Sequence, residues 1–347
     1  MILPCILELL YYADASMTKA IVFGPWVGEF SYELSWWNPA IRKIRNEKLA
    51  DHTSYHVGYY GRRAMYKDFI DEYIHYPEQL QSTLTYPSMH AIFENGQHVV
   101  PQNVLIFFKD VVDYLRRKHS EIKYYLPNVD IVQRCHSQLP FGEHVHFKAE
   151  PTMMKEVQKE LKGYFKNKRD TVAVLARVRL RDGKPDHLDW NPNNWVQFIG
   201  LLVSELKLNV VMISIPRKGN AGGGLDLVGT PMYQKNKKFI MPFEVIGANS
   251  LERQFALLKN TTCSIYGASG SACLPFFLNT PAYTQQTIEE GYRLFYEWER
   301  RLTGNHKNVR VFDLYQNWEM YNSPVTEMFD DFKKFYLNLK KRLKSKK

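Results

Sequence analysis

A chain of 347 residues is longer than one hydrophobic core ordinarily spans and, at roughly 100–200 residues per domain, calls for two domains of similar size. With 45% apolar and 24% charged residues and ordinary Gly and Pro, it is neither disordered nor collagenous nor a coiled coil, and no run reaches the about 18 apolar residues of a membrane-spanning helix. Its 46 Lys+Arg against 36 Asp+Glu leave a formal charge of +10, which directs attention to anionic partners: phosphates, nucleic acid or an anionic membrane.

The apolar opening, residues 1–16, carries Glu8 and lacks the basic start of a signal peptide, so it reads as a poorly defined leader ahead of Met17. From residue 19 strand-like and helix-like segments alternate, the pattern of a largely parallel sheet covered by helices. Residues 20–23 form an apolar run closed by a glycine turn, and Asn38-Pro39 supplies the cap and first position of a helix carrying Ile41 and Ile44. A strand is expected over 55–59, a helix over 62–73, strands over 104–108 and 129–132, and a helix over 110–119 between them; residues 77–102 show no period. A helix over 153–165 leads to a second series that opens with a strand over 171–176. Asn191-Pro192 then starts a helix in which Trp195, Phe198, Ile199, Leu202 and Leu206 share one face. A strand over 210–215, a helix capped by Asn249 and Glu252, and a strand over 261–266 complete it. The expected fold class is α/β, with an N-terminal domain over 19–150 and a C-terminal one over 151–320. A basic helix over 321–347 is expected to return across or beside the first domain.

Three segments carry candidate chemistry. In residues 21–39, IVFGPWVGEFSYELSWWNP, Gly24 and Gly28 keep the first loop open and place Glu29 and Glu33 near the carboxyl end of the first strand. A carboxylate there can act as general base toward an acceptor hydroxyl, and Trp26 and Trp36 can offer ring faces to a sugar. Glu29, in the loop, has the shorter path to a cleft and is preferred to Glu33. Core tryptophans and a dipole-complementing glutamate are the alternative reading. In residues 171–195, Arg177, Arg179 and Arg181 lie just past a buried strand, where open α/β sheets bind ligands, and guanidinium forks suit a diphosphate. Lys218, ahead of a glycine run, adds a further cation. The alternative is a basic loop paired with Asp182, Asp186 and Asp189. In residues 261–284, a strand ends at Gly267 and the turn Ala268-Ser269-Gly270-Ser271 opens a helix, so the N–H groups of Ser269, Gly270 and Ser271 can hold a phosphate. A tight packing turn that binds nothing is the alternative.

Spacing removes other chemistries. The sequence has no Asp-x-Asp, no Gly-x-x-x-x-Gly-Lys-Ser/Thr and no Gly-x-Gly-x-x-Gly after a strand, and His144-x-His146 lacks partners for zinc, so neither a metal nor a cofactor is expected. Cysteines at 5, 135, 263 and 273 form no close pair, which fits a reducing, cytoplasmic compartment. Residues 333–347 hold eight Lys/Arg, with Phe335, Tyr336, Leu339 and Leu343 as a helical stripe: a peripheral contact with an anionic membrane is one reading, a solvated basic helix end the other. No nucleic-acid module accompanies the charge.

GASGSACLPFFLNTPAY resembles the "D-S/T-G … A … L-G-T-P" signature of bacterial heptosyltransferases, with Ser269 and Gly270 at the turn, Asn279-Thr280-Pro281 at its close, and Ala268 where an acidic residue is usual. Glu33, six residues before Pro39, matches the spacing of that family's catalytic Asp to its proline, whereas Glu29 has the preceding glycine. ARVRLRD is similar to the His-x-Arg-Arg-x-Asp donor-binding signature of fucosyltransferases, with Arg177 or Arg179 as its arginine and Ala176 in place of the His. The resemblance implies a GT-B glycosyltransferase: two Rossmann-like domains facing a cleft, a nucleotide-sugar donor held mainly by the second, and a glycan or glycolipid acceptor. It further implies an inverting, metal-independent transfer in which cations of the chain stand in for a divalent ion. Ala176 and Ala268 leave two alternatives, a non-catalytic carbohydrate- or membrane-associated scaffold of the same fold and a nucleic-acid-binding protein.

Overall fold

The computed structural model describes residues 18–84, 93–94, 97–98, 100–127, 142–178, 180–181, 184–185, 189–213, 223–247, 250–267, 269–287, 308–314 and 324–345. Strand β1 (Lys19–Phe23) lies inside a four-stranded parallel sheet with β2 (Thr53–Gly58), β3 (Glu72–His75) and β4 (Glu121–Tyr125), in the order β3-β2-β1-β4. Because β1 is flanked on both sides and covered on both faces, Ala20, Ile21, Val22 and Phe23 are all buried, hence the unbroken apolar run.

After β1 the segments Phe30–Tyr32, Glu33–Trp37 and Asn38–Lys48 follow one another as a single helix, α1, whose middle segment is π-helical, with Asn38 N–H donating to Glu33 O. The expected helix start at Asn38-Pro39 is therefore corrected: the helix begins at Phe30 and Pro39 lies within it. Proline has no N–H for the carbonyl four residues back, and the wider π turn relieves its clash there. Ser35 O, four residues before the proline, accepts from His144 Nε2 at 3.2 Å.

Two further expectations give way. Residues 62–73 hold one 3₁₀ turn, Arg63–Met65, and then β3, not a helix. Asp71 accepts from Ser54 N and Ser54 Oγ, each at 2.8 Å, and Tyr73 donates to Tyr59 O at 2.7 Å, which draws the chain into the sheet. Residues 104–108 belong to helix α2 (Gln102–Arg116), in which Val104, Phe108, Val111, Val112 and Leu115 form one buried face. The strand expected over 129–132 lies outside the described residues.

Residues 142–150 lead to the second half and are tied to both sides. Glu143 N donates to Pro39 O at 2.9 Å, and Phe147 N to Phe277 O at 2.8 Å. The Phe147 ring stacks on Phe255 and Phe277, with centroids 5.5 and 5.8 Å away. Beyond helix α3 (Pro151–Tyr164) comes a six-stranded parallel sheet of β5 (Thr171–Leu175), β6 (Asn209–Met212), β7 (Ile240–Met241), β8 (Cys263–Tyr266), β9 (Ala282–Thr287) and β10 (Val309–Leu314). Its order is β7-β6-β5-β8-β9-β10. Along β5, Val172 and Val174 pack into one core while Ala173 between them packs into the other, the period of two of a strand covered on both faces.

Helix α4 (Pro192–Ser204) starts as expected, with Asn191 Oδ1 accepting from Asn193 N at 2.9 Å. Helix α5 (Leu251–Asn260) is capped by Ser250 Oγ, which accepts from Arg253 N; Asn249, the expected cap, lies outside the described residues. Helix α6 (Leu274–Leu278) follows β8 after a 3₁₀ turn, Gly270–Cys273.

The C-terminal helix α7 (Val325–Lys344) packs on the second sheet, which corrects the expectation that it returns to the first domain. Its apolar face, Met328, Phe329, Phe332, Tyr336 and Leu339, fills the core formed with α4; Phe332 meets Phe198 edge-on at 5.9 Å and Tyr283 of β9 at 5.3 Å. Tyr336 and Lys340 both donate to Asp170, just ahead of β5. Burial alone would raise the Asp170 carboxyl, but the hydrogen bonds from Lys340 and Tyr336 hold it below its ordinary value. With the folded-state value depressed, this stabilisation is present above the unfolded value and is lost as pH falls through the folded one. Asp170→Asn is accordingly expected to melt lower than the wild type near neutrality, with the gap closing in acid. Thermal melts followed by circular dichroism between about pH 3 and pH 7 measure it.

Candidate functional site

In each sheet the strand order reverses beside the first strand, giving 3-2-1-4 in the first sheet and 3-2-1-4-5-6 in the second. At such a switch point, neighbouring strands send their following loops in opposite directions and leave a crevice outside their carboxyl ends. In the first sheet the crevice belongs to the loop at residues 24–29, after β1. In the second it belongs to Ala176-Arg177 after β5 and to residues 267–271 after β8.

The two crevices face each other. A Cβ built at Gly270 would stand 3.0 Å from Ser31 Oγ and 3.1 Å from Ser31 Cβ, so the turn after β8 lies against the first turn of α1, and a side chain there would require Ser31 to give way. Alongside, Leu251 N donates to Gly61 O at 2.8 Å, joining the start of α5 to the loop after β2.

Glu29 is the half-buried residue immediately before α1, in extended backbone at φ −61° and ψ 150°, two residues from the Ser31–Gly270 contact. Glu33 sits one helical turn on and is 0% exposed. Burial raises its carboxyl, while Arg62 and Tyr66 act in the opposite sense. The Arg62 guanidinium donates to Glu33 Oε2, and Tyr66 Oη donates to Glu33 Oε1 at 2.7 Å. Arg62 is itself packed on the Tyr59 ring, 4.3 Å from its centroid. As a base facing an acceptor Glu33 is thus corrected: its carboxylate is enclosed and engaged by side chains of the first domain.

Trp26 and Trp36, expected as acceptor platforms, are 3% and 5% exposed. Trp26 stacks on Trp37 at 5.6 Å and Trp36 meets Tyr32 edge-on at 4.2 Å, so both fill the first core and present no open ring face. Tryptophan carries too much apolar area to stay out of a core lying directly beneath it.

Arg177 follows β5 in a short segment, Arg177–Val178, paired with Gly223–Gly224. Its Nε lies 2.8 Å from Oδ1 of Asp189, a carboxylate only 5% exposed. A Cβ at Gly267 would lie 3.3 Å from Arg177 Cβ, so the guanidinium stem adjoins the turn after β8. Ser269, Gly270 and Ser271 open the 3₁₀ turn ahead of α6, where the first N–H groups have no helical acceptors. Ser269 Oγ is shielded from solvent and has no hydrogen-bond partner among the described residues, a buried polar atom of the kind a bound group satisfies. Arg179 and Lys218 lie outside the described residues.

Next to Arg177, Leu225 N donates to Ala176 O at 2.9 Å. Beyond it Met212, Leu225, Leu227, Ile240 and Phe243 are buried beneath a shallow depression, with the exposed carboxylates of Asp226 and Glu244 at its rim. Sequence reading missed Arg62, Tyr66 and Ser31. The one available signal was the Arg62-Arg63 pair directly after Gly61, past the carboxyl end of the second strand. Among the described residues no cluster of three or more His, Cys, Asp or Glu could hold a metal ion, and no helix is long and apolar enough to cross a membrane.

No protein-family model and no curated protein matches the sequence. Solved structures do match. The chain is similar to the glycosyl transferase family 9 protein of Veillonella parvula, at 10% identity over 92% of this chain and 97% of that one, with a TM-score of 0.56. The chain has the GT-B fold. A second match is the ADP-heptose LPS heptosyltransferase II of E. coli, at 12% identity over 92% and 99% of the two chains and a TM-score of 0.54. In a GT-B fold the two switch-point crevices form the walls of one cleft, the arrangement in which Ser31 meets Gly270 here.

Proposed function

We propose that this chain transfers a sugar from a nucleoside diphosphate donor to a hydroxyl of a glycan or glycolipid. The observation that supports the reading is the contact of Ser31, two residues after Glu29, with Gly270 in the turn after β8. In this reading Arg177 and the backbone N–H groups of Ser269, Gly270 and Ser271 hold the diphosphate, together with the unpartnered Ser269 Oγ. Arg179 and Lys218 add positive charge.

The acceptor enters from the side of the first domain. Glu29 takes the proton of the acceptor hydroxyl as its oxygen attacks the anomeric carbon, the bond from that carbon to the diphosphate oxygen breaks, and the nucleoside diphosphate leaves with the electron pair. A single displacement of this kind inverts the anomeric centre. Arg177 and the turn take up the charge that develops on the leaving group, the task a divalent ion performs elsewhere.

The test is a thermal-shift panel of nucleoside diphosphates and their sugar conjugates, since a ligand that binds only the folded chain raises the midpoint. At least one nucleotide is expected to shift the wild type, and Arg177→Ala to lose most of that increment. The increment is the quantity to read, because removing Arg177 also deletes its ion pair with the buried Asp189 and lowers the unliganded midpoint. A wild type that no nucleoside diphosphate shifts removes the donor site.

A further inference from the structure

Helix α7 uses one face to fill the second core, and its opposite face belongs to neither core among the described residues. Lys333, Lys334, Leu337, Lys341 and Lys344 recur at helical spacing along that outer face, and all are exposed. Leu337 stands at the centre of the four ammonium groups and is 47% exposed; in the last turn Leu343 is 41% exposed. Residues 333–347 hold eight Lys/Arg and no Asp or Glu. The acidic groups of the helix are confined to its first two turns, where Asp331 is paired with Arg310 and the exposed Asp330 lies on the same face one turn ahead of Lys333 and Lys334.

We propose that this outer face of α7 docks on an anionic membrane. The seating of Phe329, Phe332 and Tyr336 in the second core holds the helix flat along the domain, so its lysines present a row of charge to a surface rather than a point. An exposed leucine amid lysines matches the interfacial region of a bilayer, where ammonium groups meet anionic headgroups while an apolar side chain reaches the acyl boundary. Nucleic acid fits less well: the rings of this helix, Phe329, Phe332, Tyr336 and the partly buried Phe335, all pack against the second core, and the outer face offers bases no ring to stack on. No residue of the stripe belongs to the candidate site, so the proposal stands or falls apart from the sugar-transfer reading.

The experiment is flotation of the full chain with phosphatidylcholine vesicles, pure or containing about 30% phosphatidylglycerol. Truncation is unsuitable because it removes Tyr336 and Leu339 from the second core. Surface substitution is the right probe, with unchanged thermal midpoints as the check on folding. Wild type is expected to float with the anionic vesicles only, and to be released by about 0.5 M salt. Lys333→Glu with Lys334→Glu and Lys341→Glu is expected to weaken binding by at least about tenfold. Leu337→Gln, which keeps every lysine and adds no charge, is expected to weaken it as well, and that result distinguishes insertion from charge alone. The milder Lys→Gln set at the same three positions replaces the reversal should the latter melt early. Equal flotation of wild type and both lysine sets, or a wild type that does not float with the anionic vesicles, overturns the proposal; binding of a single-stranded oligonucleotide in that second case assigns the face to nucleic acid instead.

Discussion

Glu29→Gln is expected to leave nucleoside diphosphate binding intact and to lower turnover by about a hundredfold or more, the usual loss when a general base is removed. Glutamine preserves the size and much of the hydrogen bonding of the side chain, so the change tests the proton transfer and not the shape of the loop. The prediction rests on position: Glu29 ends the loop after β1, ahead of the turn of α1 that meets Gly270. Because the base acts on the acceptor, kcat is expected to fall while the donor-induced thermal shift stays near that of the wild type. Steady-state kinetics alongside the nucleotide panel reads both. Normal turnover in Glu29→Gln beside an inactive but folded Glu33→Gln returns the role to Glu33, and normal turnover in both removes base catalysis from this loop.

Glu33→Gln is expected to act on the fold, lowering stability by about 3–5 kcal/mol, because the buried Arg62 guanidinium keeps its charge and loses the Glu33 carboxylate. Replacing both charges, as Glu33→Gln with Arg62→Met, is expected to cost less than Glu33→Gln alone, since both members of the pair are then removed. Denaturant unfolding of the two single variants and the double variant measures the coupling. An unchanged midpoint for Glu33→Gln means that the pair does not hold the first domain together. The two predictions separate because the glutamates, four residues apart, stand in different environments: Glu29 precedes the helix in extended backbone, whereas Glu33 is turned under it toward Arg62 and Tyr66.

Central elements were readable from the chain because burial on both faces forces their composition. β1 and β5 are inner strands of parallel sheets and appear as Ala-Ile-Val-Phe and Val-Ala-Val runs, while α4 shows its buried face at helical spacing behind an Asn-Pro start. Edge strands were not readable. β3 reads Glu-Tyr-Ile-His and β4 Glu-Ile-Lys-Tyr-Tyr, half-exposed at the margins of the first sheet, where no solvent-excluded face imposes an apolar pattern. The run Val-Leu-Ile-Phe-Phe is equally compatible with strand and helix, and its length gave no way to choose until packing placed Val104 and Phe108 on the buried face of α2.

What the sequence determined by itself was local: two α/β series in order, a glycine-bearing loop after the first strand, an arginine after the fifth, and a small-residue turn after the eighth. These depend on neighbours within a few residues, through propensity, capping and burial period. The tertiary structure alone decided which of the candidate groups meet. It set Ser31 against Gly270, enclosed Glu33 with Arg62, gave Arg177 the buried Asp189, put both tryptophans in the core, and seated α7 on the second sheet. Each of those outcomes turns on residues from separate strands and loops, and on whether a side chain ends at a cleft wall or beneath it. That is fixed by how two sheets pack, for which a single chain read in order carries no local signal.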